Sequence, residues 1–158
     1  MRCNQCVAEQ AGNGGVPLGA IGLVNGIDWS APAFQPQNGA DYGWSDLGQA
    51  LQQVAMLIRG NVGLRCVALD VDGWDTHDGM GAPEDAGSYF RQRAQSFGDA
   101  LAAFHRDLGT AMDEVTLFTM TEFGRTVEEN SAFGTDHGRG SVMMVLGGGV
   151  QGGRVHGD

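Results

Sequence analysis

The sequence predicts an α/β fold with a mainly parallel sheet flanked by helices. Three observations predict it. Short apolar runs rich in Val, Leu and Phe alternate with stripes of helical spacing. Their order is helix, strand, long helix, strand, loop, strand. A long helix between two strands implies a right-handed parallel crossover, and helices laid on such a sheet form an α/β sandwich.

Residues 1–40 are rich in Gly, Pro, Asn and Gln and read as a partly irregular segment, poorly ordered near residue 1. A short strand is expected over residues 16–24. The α/β domain is expected over residues 41–158. Ser45 is a helix cap, with Asp46 in the first turn. Leu47, Leu51, Val54 and Ile58 follow at helical spacing, and Gly60 fits the stop. Residues 64–71, bounded by Gly63 and Gly73, predict a buried strand with Cys66 in the core. Phe90, Ala94, Phe97, Leu101, Phe104 and Leu108 form the stripe of a second, longer helix, with His105 beside it. Residues 115–120 and 142–146 predict two more strands.

Composition narrows the function. The chain has 158 residues, enough for one domain with a core. Its 27 glycines far exceed the usual share of about 7% and imply many turns. The net charge is −10 and there is no lysine. A nucleic-acid binder would carry a basic stripe, and none is present. No apolar stretch approaches the roughly 20 residues of a membrane-spanning helix. The first residues lack the charged-then-apolar pattern of a signal peptide, so a soluble, unexported chain is expected. Cys3 and Cys6 form a C-x-x-C with no second copy, which excludes a zinc ribbon.

In a parallel sheet, ligands gather beyond the carboxyl ends of the strands. Two polar clusters are expected there. "DVDGWDTHDG" follows the first strand and carries Asp75 and His77. "TEFGRTVEENSAFGTDHGRG" follows the next and carries Glu122, Asp136 and His137. Carboxylate oxygen with imidazole nitrogen suits Zn²⁺, Mn²⁺ or Fe. Each residue alone is weak evidence, but acids and imidazoles meeting at one sheet edge have no core-packing explanation. Arg125 reads either as a bidentate clamp on a substrate anion or as a salt-bridge partner of Glu122 or Glu128. Arg139 is a weaker candidate of the same kind. Three other motifs fail. Asp70-x-Asp72 opens like a calcium loop, but Gly81 stands where the bidentate Glu belongs. The Gly147-x-Gly149-x-x-Gly152 pattern is not followed by a helix. No G-x-S-x-G occurs.

Four segments carry a family resemblance: "DLGQALQQVAMLIR", "GWDTHDG", "TEFGRTVEEN" and "GTDHGRGSVMMVLGGGVQGGRVHGD". In this order they resemble the DUF1501 family, in its C-terminal portion, over roughly residues 41–158. That family is identified as a member of the alkaline phosphatase/sulfatase superfamily. The resemblance implies a partial alkaline-phosphatase-like fold, a divalent transition metal (Zn²⁺ first, Mn²⁺ second) and hydrolysis of small phosphate or sulfate esters. It maps a D-x-x-x-H ligand pair onto Asp75 and His77, here more closely spaced. It maps an acidic ligand onto Glu122, whose usual His or Asn neighbour is replaced by Phe123. It maps a later ligand histidine onto His137, followed by Gly138. The superfamily's first metal-binding Asp and its Ser/Thr nucleophile have no counterpart here. Thr76, Thr121, Thr126, Thr135 and Ser141 do not stand at the nucleophile's position. A metal-activated water is therefore the expected attacking group. A homodimer is expected to cover an otherwise exposed sheet. The alternatives are a promiscuous carboxylesterase or phosphotriesterase-like hydrolase, and a non-catalytic metal-binding module.

Overall fold

The computed structural model describes residues 6–8 and 26–157. The strand expected over residues 16–24 and Cys3 lie outside the described residues. The chain divides into two compact units, Met1–Asp72 with Ser96–Leu108, and Gly73–Gln95 with Gly109–Asp158. Among the described residues no helix is long and apolar enough to cross a membrane.

In the first unit, β1 (Cys6–Ala8) pairs antiparallel with β2 (Leu64–Val67). Helix α1 spans Asp46–Arg59. Ser45 caps it as its sequence predicts: its hydroxyl accepts from the Gly48 amide at 3.1 Å. Gly60 ends the helix. Gly48 sits inside the helix for a steric reason. A Cβ there would lie 2.1 Å from the Tyr42 carbonyl oxygen. Leu47, Leu51 and Ala55 of α1 are buried, as are Tyr42 and Val62. Ala100, Ala103, Phe104 and Leu108, from the C-terminal part of helix α2 (Tyr89–Leu108), complete the core of this unit. The buried face of α2 thus includes Ala100 and Ala103, and the expected Phe97 and Leu101 are only half-buried.

Asp107 is buried in that core and accepts three hydrogen bonds. It accepts from Arg59 Nη1 at 2.7 Å, from the Gln37 amide at 2.6 Å and from the Tyr42 hydroxyl at 2.7 Å. A carboxylate out of water is tolerated when a cation and hydrogen-bond donors meet both of its oxygens in this way. Burial and the bond to Asp107 push the Tyr42 phenol well above its ordinary value.

In the second unit, Ser88 caps the start of α2, its hydroxyl accepting from the Arg91 amide at 3.2 Å. A 3-10 turn at Gly109–Glu114 leads into β3 (Thr116–Phe118), which pairs antiparallel with β6 (Val145–Gly147). Between them, β4 (Gly124–Arg125) pairs antiparallel with β5 (His137–Gly138).

Among the described residues the parallel sheet expected from the sequence is not formed. Three separate two-stranded antiparallel ladders stand in its place. A parallel crossover requires β2 and β3 to share a sheet, and they do not: β2 takes β1 as its partner and β3 takes β6. The apolar runs are also shorter as strands than their hydrophobic lengths suggest. Residues 115–120 yield only Thr116–Phe118, and residues 142–146 yield Val145–Gly147. The loop between β3 and β6 doubles back on itself through β4 and β5, so the chain returns antiparallel. Bonds from the Thr119 amide to the Met144 carbonyl and from the Met144 amide to Thr119 Oγ1 extend that pairing. Nor are these strands buried. Phe118 and Val145 are exposed, and Cys66, expected in the core, is exposed on β2.

Candidate metal centre

The candidate site lies wholly in the second unit, where residues 73–80 meet the β4–β5 hairpin. Backbone bonds set the meeting. The Thr135 amide donates to Thr76 O at 3.0 Å, the Gly79 amide to Ala132 O at 2.9 Å and the Met80 amide to Phe133 O at 2.8 Å. Gly134 permits this approach. A Cβ there would lie 2.3 Å from the carbonyl carbon of His77.

Asp75, His77 and His137 come together with one donor atom from each within 4.8 Å of the others. Asp75 Oδ1 is the centre of the group. His137 Nε2 lies 3.0 Å from it, His77 Nε2 3.1 Å and Arg125 Nη2 2.6 Å. All three donor side chains are about half exposed, at 54%, 49% and 51% for Asp75, His77 and His137. All three are thus open to solvent. The two imidazoles are tilted, with ring centroids 4.9 Å apart. Phe123 stacks on His137 at 4.0 Å, and Arg125 Cζ lies 5.1 Å from the Phe123 ring centroid.

The second nitrogen of His77, Nδ1, lies 3.0 Å from Asp136 Oδ1. A carboxylate only accepts, so Nδ1 carries the proton of that bond. In a neutral ring, Nε2 is then a lone pair facing another acceptor, Asp75 Oδ1. Two acceptors in contact call for a cation nearby: Arg125 already lies 2.6 Å from Asp75 Oδ1, and a metal ion between Nε2 and the carboxylate would serve the same need. The donor set of one carboxylate oxygen and two imidazole nitrogens fits a divalent transition metal. The carboxylate behind His77 is the arrangement that orients metal-binding histidines.

Both carboxyls are held below the usual carboxylate range. For Asp75 the main cause is the bond from His137, helped by the charges of His77 and Arg125. For Asp136 the causes are the bonds from His77 and Asn130. Both stay ionised in mild acid and keep their acceptor oxygens.

Of the other residues singled out in the sequence, Asp136 stands behind His77. Glu122 is exposed and lies outside the three-residue group. Arg125 bonds neither Glu122 nor Glu128 through any contact described. Its terminal nitrogens reach Thr135 O, Trp74 O and Asp75 Oδ1. It ties the Asp75 segment to the hairpin. Arg139, His105 and His156 are exposed. One residue went unread in the sequence, and another was read only as a lost ligand position. Asn130 bonds to both Asp136 and the His77 carbonyl. Phe123 is the face on which His137 rests. An Asn four residues before a Gly carries a turn signal, but nothing local marks what that turn touches.

A family model described as "Protein of unknown function (DUF1501)" matches residues 35–158. No curated protein and no solved structure matches the chain.

Proposed function

We propose a function for this chain from the premise that it belongs to the DUF1501 family: metal-dependent hydrolysis of phosphate or sulfate esters. The observation that carries the proposal is the convergence of Asp75, His77 and His137. The same reading assigns the family to the alkaline phosphatase/sulfatase superfamily. That assignment rests on motif resemblance, since the described residues form antiparallel ladders in place of the expected parallel sheet.

Asp75, His77 and His137 would hold the metal. A bound Zn²⁺ or Mn²⁺ would supply Lewis acidity toward an ester oxygen and toward water. Asp136 keeps the proton of His77 on Nδ1 and leaves Nε2 as the ligand atom. Arg125 holds the Asp75 carboxylate in place and so acts on substrate through Asp75. Several hydroxyls that could compete with water as nucleophile are engaged elsewhere. Thr121 Oγ1 bonds Ser141 Oγ at 2.6 Å, and Thr126 Oγ1 donates to Glu128 O and accepts from the Asp136 amide. Those bonds support a reading in which water attacks, with no covalent intermediate on the protein.

The test is a panel of chromogenic phosphate, sulfate and carboxylate esters, each with and without chelator. Turnover of a phosphate or sulfate ester that chelator abolishes and Zn²⁺ or Mn²⁺ restores is the expected result. In labelled water, the solvent oxygen enters the product within a single turnover, without a burst. Turnover of carboxylate esters alone replaces this reading with the carboxylesterase alternative. A trapped phosphoryl- or acyl-residue removes the water mechanism.

A second reading is a non-catalytic metal-binding module that self-associates. The exposed apolar side chains Phe118, Met120, Val142 and Met143 favour it. Metal uptake with no turnover of any ester, and a dimer by light scattering, would select it.

A further inference from the structure

Asn130 uses every hydrogen-bonding valence of its side-chain amide. Its Oδ1 accepts from the Ala132 amide at 2.9 Å and the Gly134 amide at 3.1 Å. Its Nδ2 donates to the His77 carbonyl at 2.8 Å and to Asp136 Oδ1 at 3.1 Å. The orientation of the amide is fixed by these partners. Backbone amides only donate, so the oxygen must face Ala132 and Gly134. A carbonyl and a carboxylate only accept, so the nitrogen must face His77 and Asp136. A flipped amide would lose all four bonds.

The acceptor side and the donor side do different things. The acceptor side builds the turn over residues 130–134, with the Asn130 amide donating to Gly134 O and the Phe133 amide to Asn130 O. Phe133 holds a positive φ of 61° within it. The donor side reaches out of the turn to the two groups that define the posture of His77. One hydrogen holds the His77 backbone. The other meets the same Asp136 oxygen, Oδ1, that His77 Nδ1 addresses. With two donors converging on it, Asp136 Oδ1 is held in line with the His77 ring.

We infer that Asn130 is a positioning residue for His77. By clamping Asp136 Oδ1 and the His77 carbonyl together, it fixes the Nδ1–H tautomer and aims Nε2 at Asp75. The inference rests on the proposed metal role of His77, but its geometry does not require a metal to be bound. Substitution at Asn130 therefore alters the imidazole even in the metal-free protein.

Asn130→Asp separates positioning from turn-building. An aspartate keeps both acceptor bonds of the turn. It has no hydrogen to donate, and it sets a like charge beside Asp136. Two measurements read the result. Long-range ¹H–¹⁵N correlation on the metal-free protein at mildly alkaline pH reports the His77 tautomer. Titration with Co²⁺, followed by its visible absorption, reports affinity. Wild type is expected to show predominantly the Nδ1–H form. Asn130→Asp is expected to shift it toward Nε2–H and to weaken Co²⁺ binding by about tenfold or more. A residue that only built the turn would leave both readings unchanged, and that outcome overturns the inference. So does a wild-type His77 that carries its proton on Nε2, which needs no variant to fold. A wild type that shows the Nδ1–H form, shifted in Asn130→Asp, but takes up no Co²⁺ supports the role of Asn130 and removes the metal reading of the site.

Discussion

At the scale of single residues, the site depends on contacts that admit no substitution of size. Gly134 is the clearest case, since a methyl group there would overlap the His77 backbone. Gly134→Ala should separate the hairpin from residues 73–80 and weaken metal uptake at least as much as loss of a ligand. Co²⁺ titration of the variant checks this, and unchanged affinity would mean the two segments are not held as described. The carboxylates add a dependence on pH. Asp75 and Asp136 are held below the usual carboxylate range by bonds that exist only in the folded site. Their stabilisation is present above the ordinary carboxylate value and is lost as pH falls through the depressed folded values. The unfolding free energy should therefore fall as pH drops below the ordinary carboxylate value, and Asp75→Asn should reduce that fall in denaturant titrations at a series of pH values. The residue types of the candidate site were legible in the sequence, because two acid–imidazole clusters followed successive apolar runs and had no core-packing explanation. Their partners were not. Whether Arg125 met a substrate or a carboxylate depended on where the hairpin brought Asp75, a contact across 50 residues of chain.

At the scale of elements, helix α1 was readable from its ends inward. Its cap, its first-turn Asp46 and its stop at Gly60 are local features. Ser45→Ala removes the bond to the Gly48 amide and should cost about 1 kcal/mol by chemical denaturation. A loss near zero would show that the cap is replaced by solvent. The strands were not readable in the same way. An apolar run signals burial or pairing, but the partner of a strand is set by distant segments. Residues 64–71 contain a real strand, yet its partner is β1, which hydrophobic periodicity did not mark. The element-level anchor of the first unit is Asp107, and nothing in an amphipathic helix pattern announces a buried carboxylate. Asp107→Ala leaves Arg59 and the Tyr42 hydroxyl without their shared acceptor and should cost about 3–5 kcal/mol. The same network predicts behaviour in alkali. An unfolded tyrosine ionises near its ordinary value of 10.0, whereas folded Tyr42 keeps its proton to higher pH. Its contribution is intact below the unfolded value and is lost as pH rises through the folded one. Denaturation curves should show stability falling above that value, and Tyr42→Phe should flatten the fall. An identical alkaline loss in Tyr42→Phe would assign it to other groups.

At the scale of the whole molecule, the pattern of elements suggested one parallel sheet, and the chain instead forms two compact units with short antiparallel ladders. The order of elements was informative and their pairing was not. A strand–helix–strand order becomes a crossover only if both strands join one sheet. The two acid–imidazole clusters nevertheless meet, through the β4–β5 hairpin rather than a sheet edge. A ligand that binds only the folded site stabilises it by mass action. Zn²⁺ at about a hundred times its dissociation constant should therefore add about 2.7 kcal/mol to the unfolding free energy. The most direct measurement is the metal content of protein equilibrated with Zn²⁺ and then desalted, beside the variants His77→Ala, His137→Ala and Glu122→Ala. The account predicts about one Zn²⁺ per chain in wild type and in Glu122→Ala, with a large loss in both histidine variants. A wild-type protein that retains no metal, or histidine variants that retain as much as wild type, would contradict it.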